Sequence, residues 1–515
     1  MDIVELRCKR FLRALLAVVL LVGFSGATWG QTQGQPAQPS TPGQKDPNQN
    51  QGQSQNLPDK PALSGAQGSA QPAPATAPPT ASEEKEVKIT PHEAEELFHS
   101  VDEILAFDSQ RTGLPIKKQV KRRLTSRDQV VAYLAKHMKD DDVKRLQRSE
   151  LVLKKFGLLP RDYDMGKLLL DWVPMEEQEP VLAHELTHAL QDQSVGLDKW
   201  MKRGEKDLGE MKKDPTPEDI DNDEMDDARE AVVEGQAQAV MFEYAMAPAG
   251  HSIADSPDLL ESMEAETLTG TPGTKVFNDA PIFMQESLTF PYSYGLEFVA
   301  KLIQTGGKEK AFAGVLANPP HTTRQIMQPE TYLSGEKIEP MHIPDFKRDF
   351  KDYLKFDIGA MGEFDVAVLI EQYAGKDLSK RLYPEWRGGY YYAAHTKSEA
   401  PHPDPSANPS VTAPLGLFYV SRWSSPEKAS EFAGIYARSL EKRYKKAEEI
   451  ATSGSGESAP QHPDYKIDGL KGRHSWTTEE GTIVIEEKGD TVLVSESLDA
   501  ATTETLEKEV FEAGK

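Results

Sequence analysis

The sequence predicts an α+β protein in two parts: a mainly helical region over residues 89–380, then a small α+β sandwich over 381–515 of order β-β-α-β-β-α. Two observations carry this. Ahead of residue 380, apolar residues recur at helical spacing behind capping signatures. Beyond it, short aromatic and β-branched runs alternate with helical stretches and tight turns. The first 88 residues belong to neither part.

Those residues divide in two. Arg7, Lys9, Arg10 and Arg13 precede an apolar run from Ala14 to Phe24, and small residues follow at Ser25, Gly26, Ala27 and Gly30. This is the pattern of a signal peptide over 1–30, cleaved after Ala27 or Gly30, and it predicts a secreted or periplasmic protein. Left uncleaved, the same run would be an N-terminal membrane anchor. Cys8 is the only cysteine and lies ahead of the run, so the mature chain is expected to hold no disulfide. From Gln31 to about Ser82, most of the stretch 31–88, the chain is largely Gln, Pro, Gly, Ser, Ala and Thr with almost no large apolar residue. Such a segment cannot bury enough surface to offset its ordering entropy and reads as a disordered linker, a tether suited to association with the envelope. No later segment is apolar enough to span a membrane. The net charge of −24, from 83 acids and 59 bases, argues against a nucleic-acid partner.

Order is expected from Thr90-Pro91-His92-Glu93, a capping box with proline at the first helical position, followed by Leu97, Val101, Ile104 and Leu105. A second box at Ser126–Gln129 opens a helix with Val130, Tyr133 and Leu134; the basic cluster from Lys117 to Arg123 between them reads as a solvated face. Leu168–Val173 reads as a strand. Pro180 then starts the helix of His184-Glu185-Leu186-Thr187-His188. Four residues apart on a helix, His184 and His188 project two imidazoles in one direction, at a spacing one metal ion bridges, while Leu182, Leu186, Ala189 and Leu190 form a stripe on another side. Glu185 is placed beside them to act on a water. Asp192, one turn past His188, suits either an imidazole-orienting or a capping role.

Lys199–Asp227 reads as a polar, solvated insertion. Asp219, Asp221, Asp223, Asp227 and Glu230 fall on ligand positions of a calcium loop, but Glu224 stands where its turn needs glycine. The next helix, from Ala228 to Ala237, offers Glu230 and Glu234, either of which completes a His-His-Glu site. Three protein ligands and an open position is the catalytic arrangement of zinc.

These residues resemble the gluzincin class of zinc metallopeptidases. His184–His188 is similar to the metal helix of that class, and Val233-Glu234-Gly235-Gln236-Ala237 to the Glu-Gly-x-Ala helix that gives the third ligand in its aminopeptidase-type members. More closely, residues 90–375 resemble a group of exported bacterial proteins in this class. Its members combine the extension seen as His188–Gln193 with three stretches: the Glu-Gly helix, Phe290-Pro291-Tyr292-Ser293-Tyr294-Gly295, and Pro319–Gln325 followed by Pro329–Tyr332. The resemblance implies a zincin-like catalytic domain over 89–380, one Zn2+ per chain on His184, His188 and Glu234, Glu185 as catalytic carboxylate, and a peptide or protein substrate. Glu230 remains the alternative ligand, because Glu230 with Glu234 satisfies the thermolysin-like pattern; Gly-x-Ala after Glu234 favours the latter. Position 328 departs from the group, being Gln where His is expected. Catalysis also needs a donor for the developing oxyanion, and Tyr292, Tyr294 and His321 are the candidates.

Helices are expected over much of Tyr294–Tyr373, broken at Gly306-Gly307, with Met361–Tyr373 closing the catalytic unit. In the last part, Tyr390–Ala394 and Leu417–Trp423 read as strands, Ser425-Pro426 starts a helix, and Thr482–Glu486 and Thr491–Ser495 form a hairpin turning at Lys488-Gly489-Asp490. A last helix lies near Thr502–Phe511. His395, His402, His462 and His474 read as exposed positions in loops and strand ends. The expected function is an exported zinc peptidase, more endo- than exopeptidase for want of a free-amine anchor. The rivals are a catalytically silent zinc-containing binding protein and an envelope adaptor working through its tether and C-terminal part.

Overall fold

A computed structural model describes residues 91–121, 140–165, 179–201, 217–253, 275–397, 412, 415–450 and 469–512. The expected signal peptide and linker, the box at Ser126, the strand expected at Leu168, and His402 and His462 lie outside the described residues. Numbering the longer helices in chain order, α1 is Pro91–Thr112, α2 Asp140–Phe156, α3 Glu179–Val195, α4 Pro217–Met246, α5 Ile282–Glu309, α6 Glu363–Ala374, α7 Pro426–Arg443 and α8 Ala500–Glu512. The molecule is α+β, and residues Glu95–Lys515 form one compact unit. Among the described residues no helix is long and apolar enough to cross a membrane.

The strands form one antiparallel sheet of order β1-β2-β3-β7-β6-β5-β4. They are β1 Tyr353–Ala360, β2 Trp386–Thr396, β3 Leu415–Trp423, β4 Ala447–Glu449, β5 Gly472–Thr478, β6 Gly481–Lys488 and β7 Thr491–Glu496. Alternation at period two sorts the side chains onto two faces. Tyr391, Ala393, Leu417, Tyr419 and Val494 join the larger core with Phe432 and Tyr436 of α7. Tyr390, Tyr392, Phe418, Val420 and Leu493 join a second core with Phe350 and Leu506 of α8. Both faces are therefore covered, which is why these strands are apolar almost throughout.

The expected strands, hairpin and helices of the last part are all present; Lys488 pairs with Thr491 across a turn in which Gly489 takes φ 66°. Three strands were not expected. β1 falls where helix was expected and carries the sheet back ahead of residue 381. β4 (Ala-Glu-Glu) and β5 (Gly-Arg-His-Ser-Trp-Thr-Thr) lack apolar alternation; β5 pairs because β6 offers it an edge, and β4 pairs in turn on β5. His474, in β5, bonds Glu449 Oε1 through Nδ1 at 2.7 Å, and His395 sits in β2 opposite Leu354. The break at Gly306-Gly307 is present, Gly307 leaving helical geometry at φ 68°.

Lys199–Asp227 departs most from expectation. Leu197–Met201 is a short helix with Trp200 buried, and α4 begins at Pro217, so Asp219 to Glu230 lie on one continuous helix. That rules out the calcium-loop geometry, and the second half of the expected insertion is helix. Tertiary burial overrides the acidic composition. Ile220 enters the second core, and Glu224 is buried, accepting from the backbone N–H of Thr323 at 2.9 Å.

The helical part is built on α4, which packs against α3 and α5. A Cβ on Gly235 of α4 would come within 2.2 Å of the Gly295 carbonyl carbon in α5, and one on Gly295 within 2.3 Å of the Ala231 carbonyl oxygen. The two helices thus cross backbone on backbone, and only glycine permits that distance.

Candidate metal centre

α3 carries the two histidines. Leu186 and Leu190 are fully buried in the core and fix its rotation; Gly196, at φ 67°, ends it. His184 and His188, both 2 % exposed, lie with their rings perpendicular and centroids 4.6 Å apart. α4 brings Glu234, 5 % exposed, to the same point. His184 Nε2 lies 3.1 Å from Glu234 Oε2, His188 Nε2 lies 3.4 Å from it, and the two Nε2 atoms are 3.0 Å apart. Among the described residues His184, His188 and Glu234 are the one group placed to hold a metal ion.

The donor set fits a divalent cation. His188 Nδ1 donates to Gln191 Oε1 at 2.8 Å, so in the neutral ring Nε2 is a bare lone pair. It faces a carboxylate oxygen and a second imidazole nitrogen, so three electron-rich atoms converge in a buried site. Such a cluster is costly unless a cation draws the three together. Ligands at ~2.0–2.1 Å in a tetrahedron stand about 3.3 Å apart, the scale of the three separations found here.

Glu185 follows His184 in α3 and is 7 % exposed. Tyr292 of α5 is brought to the cluster, its ring stacked along His184 with centroids 6.2 Å apart and planes 26° from parallel. The Gly235–Gly295 crossing sets this approach, because Tyr292 precedes Gly295 by less than a turn and Glu234 adjoins Gly235.

The other candidates lie elsewhere. Glu230 is one turn earlier on α4 and is not in the converging group. Tyr294, two residues from Tyr292, turns to Phe290 and lines a small cavity with Glu286, Glu371, Lys376 and Tyr383; burial raises its hydroxyl above the ordinary tyrosine range. His321 Nδ1 lies 3.3 Å from Met225 Sδ, nine residues and about 13 Å along α4 from Glu234. Asp192 takes its capping role, its Oδ1 accepting from the Leu197 N–H at 3.1 Å. Gln328 donates to both oxygens of buried Glu363, at 2.6 and 2.7 Å, where Arg324 also binds.

Sequence reading missed Gln191 and Gln236. Gln191 follows His188 by three, hence on its face of the helix, and that spacing was the available signal. Nothing local marked Gln236, whose amide reaches Ala311. No family model, curated protein or solved structure matches the chain.

Proposed function

We propose that the chain is an exported, zinc-dependent metallopeptidase of gluzincin type, hydrolysing peptide bonds with Glu185 as general base. The observation that carries the proposal is the buried convergence of His184 Nε2, His188 Nε2 and Glu234 Oε2 beside a second carboxylate in the same helix. Bound Zn2+ supplies Lewis acidity and a water of lowered pKa. The Glu185 carboxylate accepts the proton of the attacking water at a side-chain oxygen and passes it to the departing amine. Tyr292, stacked along His184, is the favoured hydroxyl donor to the carbonyl oxygen as it gains charge; Tyr294, turned toward its own cavity, is not. The Arg/Lys-rich start and apolar run of the sequence support export, and an acidic surface favours basic peptides.

Metal content and cleavage of a broad peptide library test the reading on the purified chain. The expected result is one zinc per chain, activity reduced by at least ~100-fold in Glu185→Gln with zinc retained, and zinc lost in Glu234→Ala. Zinc retained in Glu234→Ala transfers the third ligand to Glu230. Stoichiometric zinc with no cleavage favours the silent binding protein, and a parent that takes up no zinc ends the proposal.

A further inference from the structure

Behind His188 lies a chain of side-chain amides, and its direction is set at the far end. Gln236 of α4 points its amide nitrogen at two backbone carbonyls of the π-helical turn Lys310–Gly314, Ala311 O at 2.7 Å and Phe312 O at 3.2 Å. Carbonyls only accept, so the NH2 of Gln236 must face them and its Oε1 must face the other way. There it accepts from Gln191 Nε2 at 2.8 Å, whose second hydrogen goes to Val233 O at 3.0 Å. Both hydrogens of each amide are used. Gln191 Oε1 is consequently the atom turned to His188 Nδ1, 2.8 Å away, and Nδ1 must carry the proton. The Nε2 lone pair is left facing Glu234 and His184. Gln191 and Gln236 are 0 % exposed, so water does not compete for these bonds. His184 has no such support; its Nδ1 is buried without a hydrogen-bond partner among the described residues.

We infer that Gln191 and Gln236 form a neutral amide relay that locks His188 as the Nδ1–H tautomer and so presents its Nε2 as a metal ligand. They are positioning residues. A carboxylate at Gln191 would hold the same proton but make the imidazole more basic, whereas an amide fixes the ring without adding negative charge to a site that already contains Glu234 and Glu185. The relay also ties one ligand of α3 to α4 and to the π turn that follows α5, at a place where such turns commonly serve a site.

The metal-affinity arm of the test rests on the proposed metal centre; the tautomer arm does not. Nitrogen NMR of the metal-free chain, labelled at histidine, reads the His188 tautomer, and competition with a chromophoric chelator reads Zn2+ affinity. The parent is expected to show Nδ1–H. Gln191→Leu should mix the tautomers and weaken Zn2+ binding by roughly 10–100-fold. Gln191→Glu, nearly isosteric, should keep Nδ1–H; its other oxygen meets the acceptors Gln236 Oε1 and Val233 O, so the variant should be less stable than the parent. Gln236→Leu should shift both readouts in the direction of Gln191→Leu, and the double variant should be no weaker than Gln191→Leu alone, as members of one chain require. A parent with the proton on Nε2, or a Gln191→Leu variant with parent-like tautomer and affinity, overturns the relay. Should Gln191→Leu not fold, Gln191→Glu decides: loss of the Nδ1–H form there overturns it too. A parent that shows Nδ1–H yet binds no Zn2+ leaves the relay standing and removes the metallopeptidase proposal.

Discussion

Single side chains in this molecule are governed by what faces them, and Asp108 is the plainest case. It lies on the core face of α1, is 0 % exposed, and neither carboxylate oxygen has a hydrogen-bond partner among the described residues. Burial pushes its pKa up to about 9, so it is a neutral acid at physiological pH. The folded state then holds a proton that the unfolded chain releases above its ordinary value near 4, and stability drains away as pH rises toward 9. Asp108→Asn keeps the shape and removes the titration. Its advantage over the parent should grow between pH 5 and pH 8, by at most about 1.4 kcal/mol per pH unit. Urea midpoints at the two pH values measure it, and a pH-independent difference would refute the argument. The same dependence on neighbours explains what was legible in the site. His184 and His188 were readable because helical spacing alone brings them together; for the third ligand residue chemistry offered Glu230 and Glu234 equally, and only the resemblance of Glu234-Gly235-Gln236-Ala237 favoured the latter. Gln191 was not, since its orientation is fixed through Gln236 by carbonyls more than a hundred residues along the chain.

Elements behaved likewise. α1, α3, α7 and the β6–β7 hairpin announce themselves through caps, periodicity or turn residues, and were found. The first three turns of α4 and the strands β4 and β5 are polar by composition and exist because partners already in place receive them, so local pattern could not reveal them; β1, with Tyr353, Leu354, Phe356 and Ile358, carries apolar residues that also suit a helix and was read as one. The α4–α5 crossing belongs to this second kind. Gly235→Ala or Gly295→Ala would drive a methyl into backbone rather than into a yielding side chain. Overpacking commonly costs about 1–3 kcal/mol, and contact with backbone puts these variants at or above the upper end. Each should lower the melting temperature by several degrees and weaken Zn2+ binding, because Glu234 and Tyr292 are both set by that contact. Ser293→Ala, on α5 between Tyr292 and Tyr294, serves as the control. Calorimetry and chelator competition test this; a Gly295→Ala variant with parent stability and metal affinity would mean that the helices part without consequence.

At the scale of the whole molecule, buried acids set how stability follows pH. Glu224, Glu363 and Asp365 gather where α4 meets α6. Desolvation raises them to about 8, 7 and 6, with Asp365 further raising Glu224 and Arg324 restraining Glu363. All three are raised carboxyls, so each contributes most in acid and loses that contribution as pH rises through its folded value. Glu480 runs the other way: burial opposes its ionisation, yet Lys155 and its other donors hold it below the ordinary range, so its contribution is lost only in stronger acid. The metal-free chain should therefore melt higher at pH 5 than at pH 8. Self-repulsion from a net charge of −24 acts in the same direction but is screened by salt. The difference should persist in 0.5 M NaCl (a concentration of about 0.5 M shortens the screening length to a few Å), and its disappearance there would credit surface charge instead.

The glycine crossing has a mechanical consequence. Gly295 stands near the middle of α5, about 20 Å from its first residue, whereas Tyr292 is only about 4.5 Å away along the axis. Two packed helices that tilt against each other pivot about their closest approach, here backbone on backbone. A tilt of about 5° would sweep the start of α5 through nearly ~2 Å while displacing Tyr292 by about 0.4 Å, and Glu234, beside the pivot on α4, by less. The crossing is a fulcrum, and the ligand sits at the still point of the lever.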